Sequence, residues 1–263
     1  MRADTPQARQ LPRAEVSELA PKRHDHALVI PVINEGARIQ DQLRRIARCA
    51  PATDIVIADG GSTDGSLDVA FLREVGVRAL LVKQDTGRLG AQLRMAYAWC
   101  LDQGYRGIVT VDGNGKDGVE AIDRFVQKLD EGFDYVQGSR YVSGGRAVNT
   151  PLDRWLAGRL IHAPLLSLAG RRRYTDTTNG FRAYSARYLG DPRVAPFRAQ
   201  FDRYALLFYL TVRAGQLGYR TCEIPVTRRY PPGERTPTKV SGLRGRLAMM
   251  GELLGVVAGR YRP

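Results

Sequence analysis

The residues best suited to chemistry lie in the stretch IVTVDGNGKDG, from Ile108 to Gly118. Its β-branched opening favours a buried strand, and the glycine-rich acidic segment after Val111 reads as the turn leaving that strand. Open α/β sheets bind ligands beyond the carboxyl ends of their strands. Asp112, Asn114, Lys116 and Asp117 therefore crowd carboxylate, amide and ammonium groups onto a loop whose glycines let a ligand come close to the backbone.

The elements that must position this loop repeat along the chain. ALVIPV (Ala27 to Val32) reads as a strand; it stops at Asn34-Glu35-Gly36 and is followed by a helical pattern through Ile39, Leu43 and Ile46. DIVIADGGSTDG repeats the arrangement, with a strand to Ala58, an acid at Asp59, and a helix carrying Leu67, Val69 and Leu72. A third strand starts at Val77, and a helix through Leu93, Ala96 and Leu101 follows the loop KQDTGRLG. This alternation predicts an α/β fold: a mainly parallel sheet with helices on both faces. A dinucleotide-binding enzyme would place GxGxxG after an early strand, where this chain has PVINEGAR. The strand ends instead carry Asn34 and Glu35, Asp59, Asp85, Asp112 and Asn114, a set better suited to a sugar nucleotide with a divalent cation.

Downstream, YVQGSRY reads as a short strand and Val142 to Thr150 as a mobile loop. A helix from Leu152 to Leu168, the loop TDTTNGFR, a helix from Phe201 to Leu217 and the strand YRTCEIPVT follow. Residues 1–25 read as a loose tail, 26–242 as the catalytic domain and 243–263 as an amphipathic helix. At 263 residues with a net charge of +13, the chain suits one large domain with an anionic partner. Cys49, Cys100 and Cys222 are too scattered for a disulfide framework or a zinc site, so a reducing compartment is expected. The run from Leu247 to Ala258 contains Glu252 and falls short of the roughly 20 residues that span a bilayer.

PVINEG, ADGGSTDGS, RLGAQLRMAY, VDGNGKDG, QGSRYVSGG and TNGFRAYS, in this order and spacing, resemble the family 2 glycosyltransferases of the GT-A fold. Among these, the likeness is greatest to dolichyl-phosphate mannose synthase and related polyprenyl-phosphate glycosyltransferases, over roughly Ala27 to Gly242. The resemblance implies that Pro31, Asn34, Glu35 and Asp59 hold the nucleotide base and ribose, with Arg88 and Gln92 nearby. It places Asp112, Gly113 and Asn114 at the donor diphosphate. The family's metal signature is D-x-D, often followed by x-Q; here it reads Asp112, Asn114 and Lys116. Either Asp112, Asn114 and the displaced Asp117 hold the ion or Lys116 partly replaces it, because a protonated lysine competes with a metal for diphosphate. A retained Mg2+ or Mn2+ is the expectation.

The resemblance further implies that Arg140, Arg154, Arg182, Arg229, Arg235 and Lys239 bind the acceptor phosphate or the donor diphosphate, a task that suits guanidinium forks. A polyprenyl phosphate is already an anion and can attack the anomeric carbon in line, with inversion and without a strong base. A hydroxyl acceptor would instead need a carboxylate, for which Asp176 is named, unless that acid pairs with Arg140 or Arg182. Asp112, Asp176 and Arg140 are the expected catalytic set.

Trp155, Leu156, Leu160, Leu165 and Leu166 form one apolar stripe, and Leu243, Leu247, Met250, Leu254 and Val257 form another; both have basic flanks. Such stripes serve either the core or the headgroup region of an anionic membrane, so the expected location is cytoplasmic, peripheral at the membrane face. A soluble glycosyltransferase acting on a small-molecule or glycan hydroxyl is the alternative. Nucleic-acid binding is the remote one: no such module is legible and no nucleic-acid partner is expected.

Overall fold

The structure, a computed structural model, describes residues 8–231 and 242–263. In chain order the elements begin with β1 (Ala14–Glu18), β2 (His26–Val32), α1 (Ala37–Cys49), β3 (Asp54–Asp59), α2 (Val69–Glu74), β4 (Val77–Lys83), α3 (Leu89–Asp102) and β5 (Gly107–Thr110). They continue with α4 (Ile122–Asp130), β6 (Tyr135–Ser139), β7 (Arg146–Val148), α5 (Leu152–Leu156) and α6 (Ala163–Gly170), the last two joined by a π-helical stretch, Ala157–His162. The chain ends with β8 (Arg182–Ser185), α7 (Ala186–Gly190), α8 (Ala205–Gln216), β9 (Thr221–Pro225), β10 (Thr227–Arg229) and α9 (Gly242–Val257).

The expected α/β architecture is present. Eight strands form one sheet in the order β1-β4-β3-β2-β5-β8-β6-β9. Strands β2, β3, β4 and β5 are parallel, as right-handed crossovers through helices require, while β8 runs antiparallel between β5 and β6. Along β2 the buried side chains alternate between two cores. Ala27 and Val29 join the layer of α3, α6, α8 and α9; Leu28, Ile30 and Val32 join the layer of α1, α2 and α4. A strand buried on both faces reads as an unbroken apolar run, which is why this segment is legible in sequence.

Two segments differ from the sequence reading, and a third takes one of its alternatives. Ala14–Glu18, within the expected loose tail of residues 1–25, pairs antiparallel with β4. Its side chains are mostly exposed, so backbone hydrogen bonds rather than an apolar pattern fix it, and periodicity could not reveal it. The expected mobile loop Val142 to Thr150 contains β7, which pairs in parallel with β10 and brings the segment after β9 to the strand-end loops. Helix α9 packs Leu253 and Val256 into the core, with Met249, Met250 and Val257 partly buried beside them. Its Glu252 accepts hydrogen bonds from Tyr204 N at 2.9 Å and Ala205 N at 2.8 Å, capping the start of α8. The acid that interrupts the apolar run thus satisfies a neighbouring helix.

Candidate functional site

The loop after β5 is fastened from beneath by α1. Gln42 donates to Asp112 O at 2.9 Å and accepts from Gly115 N at 2.7 Å, and Arg45 donates to the carbonyls of Gly115 and Asp117. Gln42 and Arg45 lie one turn apart on the same helix face, so a single element fixes the whole loop. Gly113 packs against β2; a Cβ there would lie 2.9 Å from Pro31 O. Gly180, in the loop before β8, faces Asp112, and a Cβ there would collide with the carboxylate.

Arg228 of β10 enters this loop. Its Nη1 donates to Asp117 Oδ2 at 2.5 Å and its Nη2 to Asp112 Oδ2 at 3.1 Å, so one guanidinium bridges both carboxylates. Asp117 is fully buried, and burial pushes its carboxyl up despite the opposing charge of Arg228. Asp112 keeps 27% of its side chain accessible, and the amide of Asn114 lies 3.5 Å from it. The neighbouring Lys116 is only 9% exposed, and its ammonium is lowered from its ordinary value by burial and then by the charge of Arg228. Lys116 Nζ, Arg154 Cζ and Arg228 Cζ stand 5.3, 5.6 and 5.7 Å from the centroid of the Tyr230 ring, a cationic cluster gathered around one aromatic side chain. Burial would raise the Tyr230 phenol, but Arg228 and Arg140 overcome it and hold the phenol below its ordinary value.

A second buried pair lies beside the cluster. Arg140 Nε donates to Asp176 Oδ2 at 2.6 Å and its Nη2 to Asp176 Oδ1 at 2.9 Å, with Thr178 Oγ1 at 2.7 Å. Burial would raise the Asp176 carboxyl, yet the hydrogen bonds and charge of Arg140 hold it below the ordinary value. It is a tightly held carboxylate.

The arrangement is a set of strand-end acids at the mouth of a parallel sheet, overlaid by cations. Over residues 27–191 the chain matches the family described as Glycosyl transferase family 2. It belongs to that family.

Curated relatives agree with this membership. The glycosyltransferase is 31% identical over 220 residues to an undecaprenyl-phosphate mannosyltransferase of Micrococcus luteus, covering 81% of this chain and 86% of the relative. It is 28% identical over 225 residues to a polyprenol monophosphomannose synthase of Mycolicibacterium smegmatis, covering 84% and 83%. Among solved structures, glucosyl-3-phosphoglycerate synthase of Mycobacterium tuberculosis, in complex with Mn2+, UDP-glucose and phosphoglyceric acid, superimposes with a TM-score of 0.57 at 19% identity. That match covers 89% of this chain and 79% of the other, and it shows a shared GT-A fold.

Within this glycosyltransferase the remaining sequence candidates separate. Asn34 adopts φ 48° and its Oδ1 accepts from Thr63 N at 2.8 Å, while Gly36 N donates to Asp64 Oδ2 at 2.8 Å, so the loops after β2 and β3 are stitched together. Glu35 pairs with Arg38 at 3.2 Å. Pro31 lies in β2, with its carbonyl against Gly113. Arg88 is exposed at the start of α3, on the rim.

Four candidates do not present the side chains that the sequence reading assigned to ligands. Asp59 is buried and closes its own turn, accepting from Ser62 N at 3.0 Å and Ser62 Oγ at 2.6 Å. Gln92 spends its amide on the carbonyls of Val32 and Ala58, tying β2 to β3. Arg182 is 1% exposed and donates to the carbonyls of Asn179, Leu207 and Thr177, clamping the loop before β8 onto α8. Asp117, expected as a metal ligand, is paired with Arg228.

Arg229 is exposed and turned away from the acidic loop, while its neighbour Arg228 points in. Strand alternation explains the exchange: Val226, Arg228 and Tyr230 share the buried side. That period-two pattern in VTRRY was the available signal for Arg228; Gln42 and Arg45 had none beyond their helix. Arg235 and Lys239 lie outside the described residues, as does the side chain of Leu243.

Proposed function

We propose that this glycosyltransferase moves a hexose from a nucleoside-diphosphate sugar to a polyprenyl phosphate, with inversion at the anomeric carbon. The observation that carries the acceptor class is the Arg140–Asp176 pair. The acid in the position to serve a hydroxyl acceptor as base has both oxygens held by a guanidinium and is stabilised as an ion, which makes it a weak proton acceptor. A phosphate acceptor needs no such base. The donor diphosphate lies over Asp112, Gly113 and Asn114, with its base and ribose toward Asn34, Glu35 and Arg88, and Asp59 and Gln92 acting as positioning residues for those loops. Arg154 and Lys116 face the phosphates. The names of the curated relatives, a mannosyltransferase and a monophosphomannose synthase acting on polyprenyl carriers, support the same acceptor.

The acceptor's apolar tail calls for a membrane-facing surface. Leu152 (70% exposed), Leu160 (64%) and Leu168 (78%) project from the α5–α6 region, and Leu247 and Leu254 from α9. With Arg154 and Arg246 beside them, these side chains suit peripheral contact with an anionic bilayer at its cytoplasmic face. No helix among the described residues is long and apolar enough to cross a membrane. The sequence expectation of Mg2+ or Mn2+ accords with the ions bound in the glucosyl-3-phosphoglycerate synthase structures. In this chain the loop offers such an ion Asp112 and the Asn114 amide oxygen, and no group of three or more His, Cys, Asp or Glu side chains placed to hold a metal occurs among the described residues. With Asp117 engaged by Arg228, the side chains present do not make a full metal site.

The test is a panel of GDP- and UDP-hexoses incubated with undecaprenyl phosphate in anionic vesicles, with glycerol and 3-phosphoglycerate as competing hydroxyl acceptors, read by mass spectrometry. A glycosyl-phosphoryl-polyprenol product is expected. Transfer to hydroxyls alone, or hydrolysis alone, overturns the proposal.

A further inference from the structure

The cations around Tyr230 outnumber the acids they face. Arg228 answers Asp112 and Asp117 together, and the Arg140–Asp176 pair is self-contained. Lys116 is buried and makes no salt bridge among the described residues; Arg228 and Arg154 repel its charge, and the attraction of Asp112 does not offset them and the burial. A buried ammonium without a counter-ion is costly in free energy, and an anion seated against it removes that cost. Arg154 stands by the same ring, its Cζ 5.6 Å from the centroid.

A divalent cation on Asp112 would meet the opposite situation. It would have to share the carboxylate with Arg228, whose Nη2 donates to Oδ2 at 3.1 Å, beside a second buried cation and with Asp117 withdrawn into the Arg228 pair. The D-x-N-x-K pattern and the inward Arg228 are two halves of one arrangement. Where the signature lacks a second carboxylate, the chain supplies fixed positive charge from Lys116 on the loop and Arg228 on β10.

We infer that in this glycosyltransferase Lys116 and Arg228 supply the positive charge at the donor diphosphate, so that nucleotide binding requires no divalent cation. This rests on the nucleotide-sugar reading of the site. Guanidinium and ammonium donors in a cleft of low dielectric stabilise both the bound diphosphate and the charge that gathers on it as the sugar departs.

Calorimetric titration of the full chain with GDP and with UDP, in excess EDTA and again with Mn2+, tests the inference without relying on turnover. Binding of one nucleotide is expected with the same affinity in both buffers. Lys116→Gln is expected to weaken it by about tenfold or more in EDTA. Arg228→Met alone would strand Asp117 in the interior, so the paired variant Asp117→Asn/Arg228→Met is the second probe, with circular dichroism as a folding check. It is expected to lose affinity in EDTA and to regain part of it with Mn2+, since Asp112 is then released. Wild-type binding that vanishes in EDTA and returns with Mn2+ overturns the inference, as does wild-type affinity in both variants. No binding of either nucleotide in either buffer overturns the donor reading itself, and this inference with it.

Discussion

Two arginine–carboxylate clusters lie side by side in this molecule and differ in kind. Arg140 and Asp176 match one guanidinium to one carboxylate, and Thr178 Oγ1 accepts a further bond from Arg140 Nη2. The two charges of that cluster are matched one to one. Arg228 is divided between Asp112 and Asp117, the first acid remains partly accessible, and Lys116 is buried beside them with no salt bridge among the described residues. The same residue types thus make a fastener in one place and a receptive surface in the other. What separates them is whether donors, acceptors and charges balance within the cluster.

The largest effect should come from breaking the balanced pair. Asp176→Ala leaves a buried, unpaired guanidinium and is expected to cost about 3–5 kcal/mol of stability, measured by urea unfolding. Asp112→Ala should leave stability within about 1 kcal/mol of wild type, because Arg228 keeps Asp117, while lowering transfer by roughly 100-fold through loss of the bond that orients Arg228. Equal loss of stability in the two variants would erase the distinction.

Gly180→Ala sharpens the comparison by moving Asp112 without deleting it. The added methyl collides with that carboxylate, and transfer should fall roughly tenfold with little change in unfolding. An unchanged rate would show that the position of Asp112 is not critical.

Acid titration offers the smallest and most selective contrast. The Asp176 carboxyl lies below its ordinary value in the folded chain, so its contribution is present above the unfolded pKa and is lost as pH falls through the folded one. Asp117 lies above its ordinary value, so its linkage has the opposite sign. Arg140→Met/Asp176→Asn should therefore flatten the loss of stability on acidification below the ordinary carboxylate range, and Asp117→Asn should not. Parallel acid limbs in wild type and the first variant would count against the assignment.

Much of this could be read before any coordinates. The apolar runs of β2 through β5, each ending in a polar or acidic turn, gave the sheet and placed Asn34, Asp59 and Asp112 at its carboxyl edge. The motif order pointed to a glycosyltransferase, and the family match bears that out. Less legible was what each polar residue does on arrival. Asp59, Gln92 and Arg182 stand within recognisable motifs, yet their hydrogen bonds go to the chain itself. A motif fixes where a side chain is anchored, but the partners within reach decide whether it serves a ligand or the backbone.

The sequence by itself determined the alternation of strands and helices and the polar content of the strand ends, because both are local properties set by periodicity and turn chemistry. It also contained the departure from the D-x-D signature at Asn114 and Lys116. Only the tertiary structure decided what fills that departure. Arg228 is 111 residues from Asp117 along the chain, and the β7–β10 pairing brings it there. Charge neutralisation acts over a few ångströms of space, and no local pattern shows which distant cation will arrive.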